Sequence, residues 1–145
     1  DLDKFEANLA RMAARVKESG KNLRPHVKAH KCAEIAKRQI ASGAIGMCCA
    51  TVSEAEMLAA AGITGLLVTS PVADPIKMSR IVKTGAMVVV DHEQQVEWYN
   101  AAAGDAGRKT DVLVDLDVGD HRTGAASLAD AVAIAGSYAT KTRSR

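Results

Sequence analysis

The sequence predicts an α/β fold in which helices cover a parallel sheet, as in part of a (β/α)8 barrel. Short apolar runs alternate with amphipathic stretches along the 145 residues, without a linker or a repeat between them. Such alternation is typical of parallel strands joined by right-handed helical crossovers. The chain is 48% hydrophobic but only 3% aromatic. Its core must therefore consist of Ala, Val, Ile and Leu, which suits closely stacked helices and strands.

The first predicted element is a helix over residues 3–18, where apolar side chains recur at helical spacing up to a stop at Gly20. Ser53 is expected to be the N-cap of a later helix, with Glu56 as its capping-box partner. The other predicted elements are, in order, a segment over 23–29, a helix over 32–40, a strand over 44–49, the Ser53 helix up to Gly62, a strand over 65–69, a helix over 75–84, a strand over 86–90, a helix over 93–103, a loop over 104–109, a strand over 112–117 and a helix over 128–138.

Five strands fit two architectures. A whole barrel needs roughly 250 residues, so the length favours a complete five-stranded doubly wound sheet. The two ends favour a partial barrel, because no strand precedes the first helix and the apolar pattern stops after Tyr138. We therefore expect residues 1–145 to form one partial barrel domain without its first and last strands, and with its strands in sequential order.

Composition argues against several classes of protein. The formal net charge is +2, and basic residues are dispersed except at 141–145, which we expect to be a solvated end rather than a nucleic-acid-binding arm. The cysteines Cys32, Cys48 and Cys49 form neither a CxxC motif nor a metal spacing. No apolar run is long enough to span a bilayer, and no signal-peptide pattern opens the chain. We expect a cytoplasmic protein with reduced thiols.

The segment 24–31, Arg-Pro-His-Val-Lys-Ala-His-Lys, is the most informative one. As a strand, it would place His26, Lys28 and His30 on one face, directed into a barrel mouth. A lysine enclosed there loses hydration, so its pKa falls and its neutral amine can attack an aldehyde. The alternative is a helix that begins at Pro25 and exposes its lysines. In a strand the two histidines would be about 13 Å apart, too far to share a metal ion.

Three segments resemble a known family, in the same order and over most of the chain. Residues 24–31 resemble the RPHxKxHK segment of D-threonine aldolases and D-serine dehydratases, fold-type III pyridoxal-phosphate (PLP) enzymes whose barrel is like that of the alanine racemase N-terminal domain. Residues 46–56 are similar to the second strand and following helix of this family, including 3-hydroxy-D-aspartate aldolases. Residues 115–124 resemble the family's IDVGxxRxG segment.

The resemblance implies specific roles for four residues. Lys28 matches the lysine that holds PLP as an internal aldimine, and His26 and His30 are expected to line the cofactor site with it. Arg122 matches the arginine beside the cofactor ring, where a guanidinium would keep the pyridine nitrogen largely unprotonated. The alternative for Arg122 is an ion pair with Asp117 or Asp120 that holds the loop.

Further interpretations of this region stay open. Asp115 and Asp117 are either partners of Lys28 or Arg122 or, as we favour, polar groups at a strand end. His121 has an acidic neighbour and could titrate near neutrality, but we favour an exposed loop histidine.

The function that the resemblance implies is a PLP-dependent lyase of β-hydroxy D-amino acids, either an aldolase or a dehydratase. A divalent metal (Mn, Mg or Zn) is expected in the full-length protein, with its ligands, the phosphate-binding loops, the general base and a C-terminal β-domain outside this chain. We expect a homodimer at full length, and no activity from residues 1–145 alone. The alternatives are an amino-acid racemase of the same fold, a non-catalytic PLP-binding protein, and a cofactor-free signalling or interaction domain.

Overall fold

The computed structural model describes residues 1–142, with side chains through residue 138. Within this part, helices and strands alternate along the chain. The helices are α1 (Leu2–Glu18), α2 (Ala33–Ala41), α3 (Val52–Ala60), α4 (Pro75–Thr84), α5 (Glu93–Asp105) and α6 (Leu128–Thr142), and the strands are β1 (Cys48–Cys49), β2 (Leu67–Val68), β3 (Met87–Val90) and β4 (Val112–Val114).

The four strands form one parallel sheet in the order β1-β2-β3-β4. Cys48 pairs with Leu67, Leu67 with Met87, and Val88 with Val112. Sequential order without a reversal is the arrangement of a barrel wall, whereas a doubly wound domain would reverse its strand order. The structure therefore confirms the predicted order and rejects the doubly wound alternative.

The segment before β1 is a correction to the predicted strand at 24–31. It runs beside β1, with Cys48 N donating to Pro25 O at 2.7 Å, and ends in an isolated parallel bridge between His26 and Cys48. A 3₁₀ turn, Val27–Ala29, then leaves the sheet. The strand stops because Val27 is fully buried and His30 N donates back to Val27 O at 3.0 Å, which closes the turn. The helix alternative is also wrong.

The core lies between the helices and one face of the sheet. Burial alternates along β3, where Val88 and Val90 are fully buried and Met87 and Val89 are half-buried. Leu58, Met78 and Ile81 from the covering helices join the buried strand residues in one apolar cluster. On the opposite face the strand residues are less covered by the described residues. Leu113 of β4, for example, is 43% exposed.

Helix boundaries mostly follow the prediction, and α4 has the predicted bounds because Gly85 ends it in the left-handed region, at φ +74°. The predicted N-cap of α3 is wrong. Thr51 rather than Ser53 caps it and accepts from Glu54 N, because Val52 is already a buried helical residue. Glu56 instead forms a two-point ion pair with Arg80 of α4, at 2.8 and 2.6 Å.

Other boundaries shift by a few residues. Helix α5 continues through Gly104 into the predicted loop, and strands β1, β2 and β4 are shorter than predicted. The basic segment 141–145 lies outside the residues whose side chains are described. None of the described helices combines the length and hydropathy that crossing a membrane requires.

Candidate functional site

The predicted site residues lie at one edge of the sheet. All strands are parallel, so their carboxyl ends meet at that edge, where ligands bind in parallel α/β proteins. Lys28 follows the segment that bridges to β1, Thr69 follows β2, and Asp91 follows β3. Arg122 belongs to residues 117–124 beyond β4, which we call the arginine loop. Lys28 and Arg122 therefore lie at opposite ends of the same edge.

His26 is fixed as a neutral imidazole by three hydrogen bonds. Thr69 Oγ1 donates to Cys49 O at 3.1 Å, so this hydroxyl can only accept from His26 Nε2, 3.2 Å away. Lys28 N donates to His26 Nδ1 at 3.2 Å, so Nδ1 carries no proton. Burial and the positive charge of Lys28 lower the pKa of His26, against a smaller opposing effect of Glu54. Both ring nitrogens are occupied, which leaves only the ring face for contact with a ligand.

Lys28 sits on the 3₁₀ turn, and its backbone is held by His26. Its side chain is exposed, and among the described residues its amine takes part in no ion pair or hydrogen bond. The predicted enclosure refers to the mouth of a whole barrel and stays a prediction; in the described part of the chain, Lys28 lies on a 3₁₀ turn rather than in a strand. The geometry thus presents a primary amine that is free to react and a backbone that is fixed.

His30 is a second correction to the predicted strand face. Its Nε2 lies 3.3 Å from Gln39 Oε1, and its Nδ1 accepts from Cys32 N at 3.1 Å. These bonds direct the ring toward α2 and tie the turn to that helix. Because the turn replaces the strand, the structure does not place His30 on a common face with Lys28 and His26.

Two non-glycine residues among the described ones have left-handed backbones, and both belong to motif segments. They are Lys31, at φ 48°, and His121, at φ 52°. Left-handed conformations cost about 1–2 kcal/mol for residues with a Cβ. Such strain persists where surrounding contacts enforce it and is concentrated at functional sites. The backbone therefore points to the same two segments that the sequence singled out.

The arginine loop is organised around Asp117. This carboxylate accepts from Gly119 N at 2.8 Å and from His121 N at 3.0 Å, and its Oδ2 lies 2.9 Å from His121 Nδ1. These bonds lower the pKa of Asp117. The side chain of His121 is 83% exposed, as expected, but it is held by this acid.

Arg122 is not the partner of Asp117. The predicted loop-holding ion pair is therefore wrong for this acid, because His121 takes its place. Among the described residues, the Arg122 guanidinium forms neither an ion pair nor a hydrogen bond, and the residue is exposed. Because the Arg122 guanidinium makes no bond within the arginine loop, it is available to bind a ligand.

Sequence reasoning missed two buried polar residues that shape this edge. Glu54 is 7% exposed and accepts from Ala50 N at 2.7 Å; Gln95 is 6% exposed and accepts from Asp91 N at 2.8 Å. Each is the third residue of its helix and reaches back to the first backbone N–H after a strand. The signals were Thr-x-x-Glu at 51–54 and His-x-x-Gln at 92–95, which are capping-box spacings.

Other features of the chain lie away from this edge. A cavity of about 600 Å³ near Tyr99, Arg108 and Val112, at the amino end of β4, contains none of the predicted site residues. The buried Tyr99 hydroxyl has no hydrogen-bond partner within the described part of the chain, and burial raises the pKa of this tyrosine. The described residues also contain no cluster of His, Cys, Asp and Glu that could hold a metal ion.

Comparison with known proteins finds one matching family and several similar enzymes. The family described as alanine racemase, N-terminal domain, matches residues 1–143. A D-threonine aldolase from Arthrobacter sp. is 43% identical over 141 residues, and a 3-hydroxy-D-aspartate aldolase from Paracoccus denitrificans is 38% identical over 141 residues. Both alignments cover 93% of this chain, but only 37% and 36% of the relatives.

A solved structure agrees. The crystal structure of D-threonine aldolase from Filomicrobium marinum superposes with a TM-score of 0.92 at 40% identity, covering 96% of this chain and 39% of that one. The chain thus spans somewhat more than a third of the proteins that it matches.

Proposed function

Because the chain belongs to the alanine racemase N-terminal domain family, we propose that the full-length protein is a PLP-dependent lyase of β-hydroxy D-amino acids, with Lys28 as the cofactor-binding lysine. The family and its barrel fold confirm the predicted resemblance. The relatives' names, D-threonine aldolase and 3-hydroxy-D-aspartate aldolase, favour carbon–carbon cleavage over racemisation.

The observation that carries the proposal is the state of Lys28. Its amine has no partner among the described residues, and it stands at the carboxyl edge of a parallel sheet on a turn fixed by a neutral histidine. A primary amine without a competing partner is the group that condenses with an aldehyde such as that of PLP. The residues present therefore fit the cofactor at this point.

The other site residues act around this amine. His26 fixes the turn, and its occupied nitrogens make it a positioning residue rather than an acid or base. Arg122 offers an uncommitted cation to the cofactor ring, and a guanidinium there keeps the ring nitrogen unprotonated. When bound, PLP supplies the electron sink for bond breaking at the substrate Cα.

The names of the aldolase relatives favour an aldol cleavage. In an aldol cleavage the Cα–Cβ bond breaks, the β-hydroxyl loses its proton, and Cβ leaves as an aldehyde while Cα gains a proton. Any metal would be held by residues outside the described part of the chain, because the described residues contain no cluster of His, Cys, Asp and Glu that could bind one.

The test uses the full-length protein with PLP, Mn²⁺ and D-threonine. We expect acetaldehyde release, detected with a coupled alcohol dehydrogenase, and none from L-threonine. Lys28→Ala should abolish release, whereas the matched control Lys31→Ala should retain it. Ammonia without aldehyde would identify a dehydratase, and loss of optical rotation without either product a racemase. An active Lys28→Ala variant would reject the assignment.

A further inference from the structure

We infer that Asp91 is a positioning residue that fixes the arginine loop relative to the rest of the site. This inference rests on the proposed function, because it gives Asp91 its effect through Arg122. Asp91 belongs to neither motif that carries the cofactor assignment. It follows β3 directly, at the edge of the sheet between Lys28 and the arginine loop.

Asp91 joins two parts of the fold with its two carboxylate oxygens. Oδ1 accepts from Gln95 Nε2 at 2.9 Å, and Oδ2 accepts from Gly124 N at 3.2 Å. Gln95 is itself immobilised, because its Oε1 accepts from Asp91 N at 2.8 Å and from His92 N at 3.2 Å. The Asp91 carboxylate is thus oriented by the buried side-chain amide of Gln95, whose own oxygen already accepts two backbone N–H groups.

Gly124 is where the arginine loop returns to the sheet. Its φ is +106°, and a Cβ there would lie 2.4 Å from Asp117 N and 2.7 Å from Leu116 C. The loop is closed next to it by a parallel bridge between Leu116 and Ala125. Among the described residues, Asp91 is the only residue outside the arginine loop whose side chain hydrogen-bonds to the backbone of that loop.

The other side-chain bonds of the loop are internal, and its base is closed by backbone bonds from Asp117 N to Ala125 O at 3.0 Å and from Ala125 N to Asp115 O at 2.9 Å. Asp117 organises Gly119 and His121, but both ends of those bonds move together if the loop tilts. Asp115 N, which donates to Val90 O at 2.8 Å, ties the segment before the loop to β3. The Asp91–Gly124 bond is different because it ties the other end of the loop, through a side chain, to the residue that follows this buried strand. Loss of that bond should leave the loop folded and let Arg122 shift relative to the cofactor ring.

Asp91→Asn is the sharp variant, because it keeps the size of the side chain. The Gln95 amide can still donate to the Asn oxygen, but the new NH₂ group then faces Gly124 N–H, and two donors cannot bond to each other. The matched control is Asp74→Asn. Asp74 also accepts backbone N–H groups, from Ile76 and Lys77, but at the start of α4.

The experiment combines kinetics with hydrogen exchange in the full-length holoenzyme. We expect Asp91→Asn to lower kcat about tenfold, as loss of one charge-assisted hydrogen bond would, with KM changed less. Its visible spectrum should shift as in Arg122→Ala. The double variant should be no slower than Arg122→Ala alone, because the two residues act in series. Asp74→Asn should match wild type in kcat, in KM and in its visible spectrum.

Hydrogen exchange tests the anchor without using activity. In the wild type the Gly124 amide should exchange about tenfold more slowly than that of Val118, which is 87% exposed. Asp91→Asn should remove this protection and leave the peptide over 128–138 unchanged. An unprotected Gly124 in the wild type, or additive losses in the double variant, would overturn the inference. Inactive wild-type enzyme with a protected Gly124 would instead count against the proposed function alone.

Discussion

Gly46→Ala should strongly destabilise the amino end of the sheet, where Gly46 before β1 approaches Gly65 before β2. Gly46 has φ +153°, and a Cβ added to it would lie 1.9 Å from Gly65 O and 2.6 Å from Gly65 C. These are backbone atoms, so no flexible side chain can move aside. Gly65 O also accepts from Arg24 Nε at 3.0 Å, so its displacement would disturb the segment that leads into Lys28.

The expected cost has two parts. An L-residue in a sparsely populated backbone region costs about 1–3 kcal/mol, and insertion of a methyl group into a packed site costs about 1–3 kcal/mol more. The sum, about 2–6 kcal/mol, is a large share of the roughly 5–15 kcal/mol that keeps a typical protein folded. We therefore expect a lower yield of folded protein as well as a lower denaturation midpoint.

Gly43→Ala provides the control, because Gly43 has φ +103° but nothing within 4 Å of an added Cβ. It should cost only the backbone part, about 1–3 kcal/mol. Urea denaturation of the two full-length variants, followed by circular dichroism, measures the difference between them. Equal losses in both variants would refute the close approach of Gly46 and Gly65.

Three further predictions follow from single contacts. Arg122→Ala should retain PLP but lose turnover and shift the visible spectrum, and wild-type turnover would contradict its proposed place beside the cofactor ring. His26 is neutral when folded and its pKa is lowered, so its contribution to stability should be full above the unfolded pKa of about 6.5 and decline as the pH falls below it. His26→Asn, which can still accept from Lys28 N, should make unfolding midpoints at pH 7.5 and 5.5 differ less than in wild type. Tyr99→Phe should raise the free energy of unfolding by about 1 kcal/mol, because the hydroxyl is buried without a described partner. A decrease of similar size in the free energy of unfolding would mean that a water molecule bonds to the hydroxyl.

Much of the fold could be predicted from the sequence because its signals are local. Helix α4 illustrates this, since Pro75 and Gly85 mark its ends by their own backbone preferences. The alternation of apolar runs with amphipathic stretches likewise predicted parallel strands in sequential order.

Predictions failed where a contact between distant residues decides the local structure. The local pattern of residues 24–31 allowed either a strand or a helix, but His26 binds Thr69, 43 residues away, and caps the turn at Lys28. The Thr51 cap was missed because it depends on the burial of Val52 in the core.

The candidate site, like the fold, could be predicted where its signals are local and not where it depends on contacts between distant residues. Lys28 and Arg122 could be selected because the resemblance is carried by contiguous motifs. Asp91 and Gln95 lie outside those motifs, and their importance depends on a bond to Gly124, 33 residues away from Asp91. His121 was predicted to be exposed, which it is, but its bond to Asp117 takes the place of the Asp117–Arg122 ion pair that was the alternative role for Arg122.

The most direct test of the central claim is to locate the cofactor on the chain. The full-length holoenzyme is reduced with borohydride, digested, and analysed by mass spectrometry of its peptides. We predict one pyridoxyl group, on Lys28, and none in Lys28→Ala. A label on Lys31, or on no lysine at all, would contradict the assignment of this edge of the sheet as the PLP site.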